Sequence, residues 1–260
     1  FRNIELSGGT NYYPSLENDL LKLKKEFNLN YLLHNYFPPP KDHFVANIAS
    51  LDQEIYKRTL DHYLKAIDLS KILEARKFGI HAGYLIDFQP SEAGSFIKNR
   101  TLSNRQEALK RMTEGLFTLQ EAAGNKVTLY LENNVLSSKN SLEYGTKLPF
   151  LLCNLDDFHE FSALTKFNLL FDIAHFKVSQ KSQGINFEND CSVLMMTSNY
   201  IHLSGNDGYA DQNRSIMLDQ DLINVITREN LLNKTVTLEV YDGDDAILES
   251  YEFLKNLFNE

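Results

Sequence analysis

Cysteine is scarce in this chain: 260 residues hold two, Cys153 and Cys191, in unrelated segments and at no metal-type spacing. Neither a disulfide scaffold nor a cysteine-built zinc site can be assembled from them. Both are expected to be reduced core thiols, which points to a reducing compartment. Basic residues are also short, with 26 Lys and Arg against 35 Asp and Glu and a net charge of −9. That balance lacks the basic footprint of a nucleic-acid-binding surface, so a nucleic-acid partner is disfavoured. No apolar run approaches the roughly 18 residues of a membrane span, and Phe1 opens no charged-then-apolar signal segment. A soluble, cytoplasmic protein with no membrane partner is the expectation. Linkers, low-complexity tracts and repeats are missing too. The one proline cluster, Pro38-Pro39-Pro40, ends a strand rather than dividing domains.

What the chain does have is rhythm. Hydrophobic residues make up 43%, enough for a sizeable core without disulfides. Strand-like and helix-like segments alternate throughout, the pattern of βα units on a parallel sheet. Strands are expected at Ile4–Ser7, Asn30–Phe37, Phe78–His81, Val127–Glu132, Leu169–Asp172, Tyr200–Leu203 and Val236–Val240. Apolar residues at three- and four-residue spacing predict helices over Leu16–Phe27, Asp52–Arg76, Asn104–Ala123, Asp156–Thr165, Phe187–Thr197, Asp219–Glu229 and Asp245–Phe258. Ser50 and Asp52, Ser103 and Asp219 are candidate N-caps, and Gly124 a C-terminal stop. The length suits a single α/β barrel domain, residues 1–260, since such barrels take about 250 residues. Seven units do not close an eight-stranded barrel, so we expect the first strand and helix to lie upstream of Phe1.

Glu132, Asp172, His202 and Glu239 each follow a short β-branched or Leu-rich run, so each reads as the end of a buried strand. Buried charges are costly unless paired, and three carboxylates converging with an imidazole call for a cation. Strand ends at the C-terminal face of a parallel barrel are also where that fold keeps its active sites. A mixed carboxylate and imidazole set suits one divalent ion, Mn²⁺, Mg²⁺, Co²⁺ or Zn²⁺.

The order Glu, Asp, His, Glu, with His175 three residues after Asp172, resembles the xylose isomerase-like superfamily of TIM (β/α)8 barrels. That superfamily includes sugar isomerases and epimerases, inosose dehydratases and endonuclease IV-type nucleases. Leu131-Glu132-Asn133-Asn134 resembles its fifth-strand motif, Phe171-Asp172-Ile173-Ala174-His175 its sixth, Ile201-His202 its seventh and Leu238-Glu239 its last. His34 and His81 resemble the third- and fourth-strand histidines. The resemblance implies that Glu132, Asp172, His202 and Glu239 ligate the metal. It implies that Glu132 and Glu239 also move a proton through a metal-stabilised cis-enediolate, and that His175 acts beside them on a substrate oxygen. His34, His81, Asn134, Asp211 and Arg214 are the candidate substrate-binding residues, whereas the direction of Lys177 is open. In the nuclease branch an Asp-x-His element completes a third metal site; here the match is Asp211-Gln212-Asn213, and the neutral amide is a poor zinc ligand.

A metal-dependent isomerase or epimerase of a small sugar, sugar phosphate or polyol derivative is therefore the first expectation, with a carbohydrate substrate as partner and homo-oligomerisation left open. An endonuclease IV-like abasic-site nuclease and a non-catalytic metal-binding barrel are the alternatives. Blander readings cover the rest. His43, His62 and His159 fit ordinary packing. Gly8-Gly9 and Gly205-Asn206-Asp207-Gly208 fit tight turns, since neither has phosphate-loop spacing. The Asp242–Asp245 run lacks a calcium-loop pattern, and one of Asp244 and Asp245 caps the last helix.

Overall fold

The computed structural model describes residues 1–229 and 231–258. Seven strands and nine α-helices alternate along them: β1 Asn3–Leu6, α1 Leu16–Phe27, β2 Asn30–His34, α2 Gln53–Leu73, β3 Lys77–His81, α3 Arg105–Ala123, β4 Thr128–Glu132, α4 Ser138–Tyr144, α5 Leu155–Leu164, β5 Asn168–Asp172, α6 Ile173–Gln183, α7 Phe187–Thr197, β6 Tyr200–Leu203, α8 Gln220–Arg228, β7 Thr235–Leu238 and α9 Asp244–Phe258. Residues 1–93 and 101–131 form one compact unit, and residues 94–100 with 132–258 lie in a second.

In the first unit the strands run in chain order from β1 to β4, and the pairs β1–β2 and β2–β3 are parallel. β2 stops at His34 rather than Phe37, because Asn35 turns the chain at a positive φ of 27°. α2 stops at Leu73, where Glu74 takes a left-handed conformation and its N–H closes back on the helix. Asp52 caps α2 as expected, accepting from the Glu54 and Ile55 amides. At α3 the cap is Asn104, which accepts from Glu107, and not Ser103. His34 is buried, and its ring centre lies 5.4 Å from that of His81.

In the second unit β5, β6 and β7 are again parallel and in chain order. Alternation sorts their side chains. Leu169 and Phe171, Ile201 and Leu203, and Val236 and Leu238 face one way and pack with Leu194, Leu222, Val225 and Ile226 of the helices. Residues of the other parity face away from those helices. The register sets Asp172 opposite His202 and His202 opposite Thr237. Glu239, two residues beyond Thr237, keeps that parity, and its N–H still bonds to Leu203. A one-residue slip would turn all of these polar groups into the helix-facing core.

Two helices were not legible from periodicity: α4, a short helix, and α6, which starts directly at the end of β5. α6 is buried from Ile173 to Gln180, including polar His175, Lys177, Ser179 and Gln180. With no exposed face there it shows no amphipathic stripe.

Candidate metal centre

Asp172 ends β5 and caps α6 in the same step. One of its oxygens, Oδ1, accepts the His175 N–H at 2.7 Å. Its own backbone is gripped by the Asn133 amide, which accepts from Asp172 N at 2.8 Å and donates to Asp172 O at 2.9 Å. Asn133 thus extends the strand ladder by one residue through its side chain. The same residue's carbonyl meets His175 Nδ1 at 3.0 Å and fixes the imidazole's orientation.

Around this junction the expected ligands converge. His202 Nδ1 lies 3.3 Å from Glu132 Oε1 and 3.2 Å from Glu239 Oε1. His175 Nδ1 is 3.7 Å from Glu132 Oε1, and His175 Nε2 is 3.8 Å from Asp172 Oδ2. Possible ligand atoms of Glu132, Asp172 and His175 lie within 4.8 Å of one another, and so do those of Asp172, His202 and Glu239. Asp172 is the vertex common to both sets. Glu132 and His202 are fully buried, Asp172 is 1% exposed and the Glu239 side chain 15%.

Such crowding moves proton affinities. Burial, first of all, pushes the Asp172 carboxyl up to about 7; His175 opposes the rise, and the charges of Glu132, Glu239 and Asp211 add to it. Burial draws the His175 imidazole down, but the carboxylates of Asp172, Asp211 and Glu132 outweigh it and hold the ring well above its usual value. Asp172 Oδ2 is buried and takes no hydrogen bond. A buried carboxylate oxygen left bare among further carboxylates and imidazoles is what a divalent cation would fill, so the residues fit a metal.

The sequence pattern of the xylose isomerase-like TIM barrel family matches residues 1–257. The chain belongs to that family. Its α/β fold is the TIM barrel, of which the described residues supply seven parallel strands and the flanking helices. Among solved structures, a D-tagatose 3-epimerase-like protein superposes with a TM-score of 0.73 at 18% identity, over 99% of this chain and 88% of its own. D-psicose 3-epimerase in the presence of D-fructose gives 0.65 at 12% identity, over 100% and 90%. Endonuclease IV from Thermus thermophilus gives 0.59 at 13% identity, over 95% and 83%. At these identities the likeness is one of fold. No curated protein matches the chain.

The other residues singled out in this xylose isomerase-like chain fall into three groups. Asp211 reaches the cluster, with Oδ2 3.3 Å from His175 Nε2. His34 and His81 stand together at the ends of β2 and β3 in the first unit. Asn134 and Arg214 make up the third group. The buried Asn134 amide donates to Leu151 O at 2.8 Å, and Arg214 is exposed, its backbone paired with Gly205. Asn213 accepts a hydrogen bond from the Ser204 hydroxyl at 3.1 Å. Two positions gave no functional signal in the sequence. Asn133 lay inside a quoted motif without a role. Tyr241 shares the parity of Glu239; burial, then the charges of Glu239 and Asp211, raise its hydroxyl.

Proposed function

We propose that this chain, read as one barrel domain over residues 1–260, is a metal-dependent isomerase or epimerase of a small sugar, sugar phosphate or polyol derivative. The observation that carries the reading is that two carboxylates meet one imidazole nitrogen, Glu132 at 3.3 Å and Glu239 at 3.2 Å from His202 Nδ1. Glu132, Asp172, His202 and Glu239 would hold the ion, with Mn²⁺, Mg²⁺, Co²⁺ and Zn²⁺ all compatible. When bound, the ion supplies Lewis-acid polarisation of a carbonyl and its neighbouring hydroxyl.

The chain's own groups do the proton work. One of Glu132 and Glu239 takes the proton from the carbon beside the carbonyl, leaving an enediolate. The other, entering as the acid, returns a proton to the neighbouring carbon in an isomerase, where the hydroxyl proton of the first carbon also passes to the former carbonyl oxygen, or to the opposite face of the same carbon in an epimerase. His175 is fixed from behind by the Asn133 carbonyl at Nδ1 and, kept protonated by the surrounding carboxylates, shares its Nε2–H between Asp211 and a substrate oxygen. Asp211 holds that imidazolium from the other nitrogen.

A nuclease reading draws on the Asp211–His175 pair, since an Asp-x-His element belongs to the third metal site of that branch. Asn213, whose side-chain oxygen is engaged by Ser204, speaks against it. Solvent-deuterium exchange into a panel of ketoses tests the proposal. Wild type with Mn²⁺ should label the carbon next to the carbonyl, and Glu132→Gln should lower the rate by about 10²–10⁴-fold, the range expected when a general acid or base is lost. Incision of an abasic oligonucleotide with two or three bound zinc ions, and no exchange, would overturn it.

A further inference from the structure

The mechanism leaves unused a buried lysine two residues after His175. Lys177 is 5% exposed, and its ammonium is fully engaged: Asp219 Oδ1 at 2.5 Å, Asn206 O at 3.0 Å and Asp221 Oδ2 at 3.2 Å. Asp219 is itself fully used. Oδ1 also accepts the Leu222 N–H that opens α8, and Oδ2 accepts the Asn206 N–H. Asn206 closes the network, with Nδ2 donating to Ala174 O on α6 and Oδ1 accepting from Gly208 N.

These contacts surround one structural element. Between Gly205 and Arg214, whose backbones pair in both directions at 2.9 Å, residues 206–213 form an excursion beyond β6 that carries Asp211. At its base a side chain on Gly205 would collide with the Ser215 carbonyl. One turn along α6 from Lys177, Lys181 donates to Asp207 O at 2.9 Å and lies over the Tyr209 ring. Two lysines spaced by four residues thus hold two consecutive carbonyls of the excursion, as their common helix face allows.

We propose that Lys177 is a positioning residue: its buried ion pair with Asp219 locks the 206–213 excursion onto α6 and so keeps Asp211 on His175. The clamp ties α6 to the excursion and to the start of α8, whereas Asp172, at the centre of the metal ligands, is held by the Asn133 amide and by its own cap on α6. Loosening the clamp should therefore degrade the grip on substrate through His175 without releasing the ion. The kinetic part of this inference rests on the isomerase reading above; the structural part does not.

The chain has no tryptophan, so Tyr209→Trp places a lone reporter at the tip of the excursion. In that background the double variant Lys177→Met/Asp219→Asn removes the ion pair without leaving a lone buried charge, which keeps the protein folded. Acrylamide quenching of the reporter should rise about twofold and the KM for an exchanging ketose about tenfold, with kcat nearly unchanged, as misplacement of a substrate-orienting pair predicts. Mn²⁺ affinity by calorimetry should stay within about threefold, well short of the 10–100-fold loss seen when a partner that orients a ligand is removed. Lys177→Arg, which can still reach Asp219, should return both quenching and KM toward wild type. Unchanged quenching in the folded double variant, an unchanged KM, or Mn²⁺ affinity falling together with KM would each overturn the assignment. If the reporter protein labels no ketose at all, the isomerase reading falls, while quenching and Mn²⁺ affinity still decide whether Lys177 holds the excursion.

Discussion

Replacing Asp172 with Asn should raise the stability of the metal-free protein while abolishing its response to metal. The side-chain oxygen that caps α6 survives in Asn, and Asn caps about as well as Asp, so the helix start is retained. What disappears is a buried charge. Burial and neighbouring carboxylates move this carboxyl from 3.8 to about 7, and at 1.36 kcal/mol per unit that is about 4 kcal/mol. Because the folded-state value is raised, the folded metal-free protein holds a proton that the unfolded chain gives up. The stability tied to Asp172 is therefore complete below about pH 4, declines as pH rises through 7 and is gone above it. At pH 8 in EDTA the Asn variant should melt higher than wild type, by roughly 8–16 °C at 2–4 °C per kcal/mol. At pH 4 the two should melt together.

Metal works against this difference. An ion at 100 times its dissociation constant stabilises the native state by about 2.7 kcal/mol, or roughly 5–10 °C. Wild type should gain this at pH 8 and lose it on acidification, as protons compete for Asp172. The Asn variant, lacking the oxygen common to both ligand sets, should gain almost nothing. Circular-dichroism melts at the two pH values, in EDTA and in Mn²⁺, give all the numbers. An Asn variant that keeps the metal increment, or that is less stable than wild type at pH 8 without metal, would refute the placement of Asp172 at the centre of the site.

Asn133→Ala removes both side-chain bonds to the Asp172 backbone, so Mn²⁺ affinity measured by calorimetry should fall by about 10–100-fold even though no ligand is touched. A change under threefold would mean that Asn133 does not orient Asp172. In the first unit, burial depresses the His62 imidazole to about 4. The unfolded chain then binds the proton first, so stability is intact above pH 6.5 and is lost as pH falls through 4, by about 3 kcal/mol at 1.36 kcal/mol per unit. His62→Phe, set among Tyr36, Phe44 and Tyr63, should lose about that much less than wild type between pH 7 and pH 4 in urea titrations. Equal losses would remove His62 as the cause.

Strands were the more legible half of this fold because each buried strand is a short apolar run with a polar stop. All seven occur, and the ends of β4, β5 and β6, with Glu239 just past β7, carry the residues that converge. α6 was not legible, because its signal is inverted: a helix packed on all sides has no polar stripe, and its charged members are paired inside. The same burial concealed Lys177, whose partners Asp219 and Asn206 are remote in sequence and meet it only through the excursion. Asn133 was hidden for a different reason. A side-chain amide that completes a strand ladder resembles any loop asparagine until its backbone partner is known.

The spacing Asp172-x-x-His175 has two physical meanings, and the structure joins them. It is the spacing at which an N-cap side chain meets the N–H of the third helical residue, so the acid and the imidazole are locked together by helix initiation itself. The cap uses Oδ1 and leaves Oδ2 bare toward Glu132, His202 and Glu239. His175 in turn is held from behind by the Asn133 carbonyl and in front by Asp211. The Asp211 loop offers one more candidate donor to this outer pair, Asn213. There, Asn213 receives the Ser204 hydroxyl on its amide oxygen and the Tyr241 N–H on its carbonyl. Asn213 is thus a strut between the β6 loop and the end of β7. The outer pair is left with an imidazolium and one carboxylate, which suits a substrate hydroxyl better than a further cation, and on that ground proton transfer on a sugar is favoured over phosphodiester cleavage.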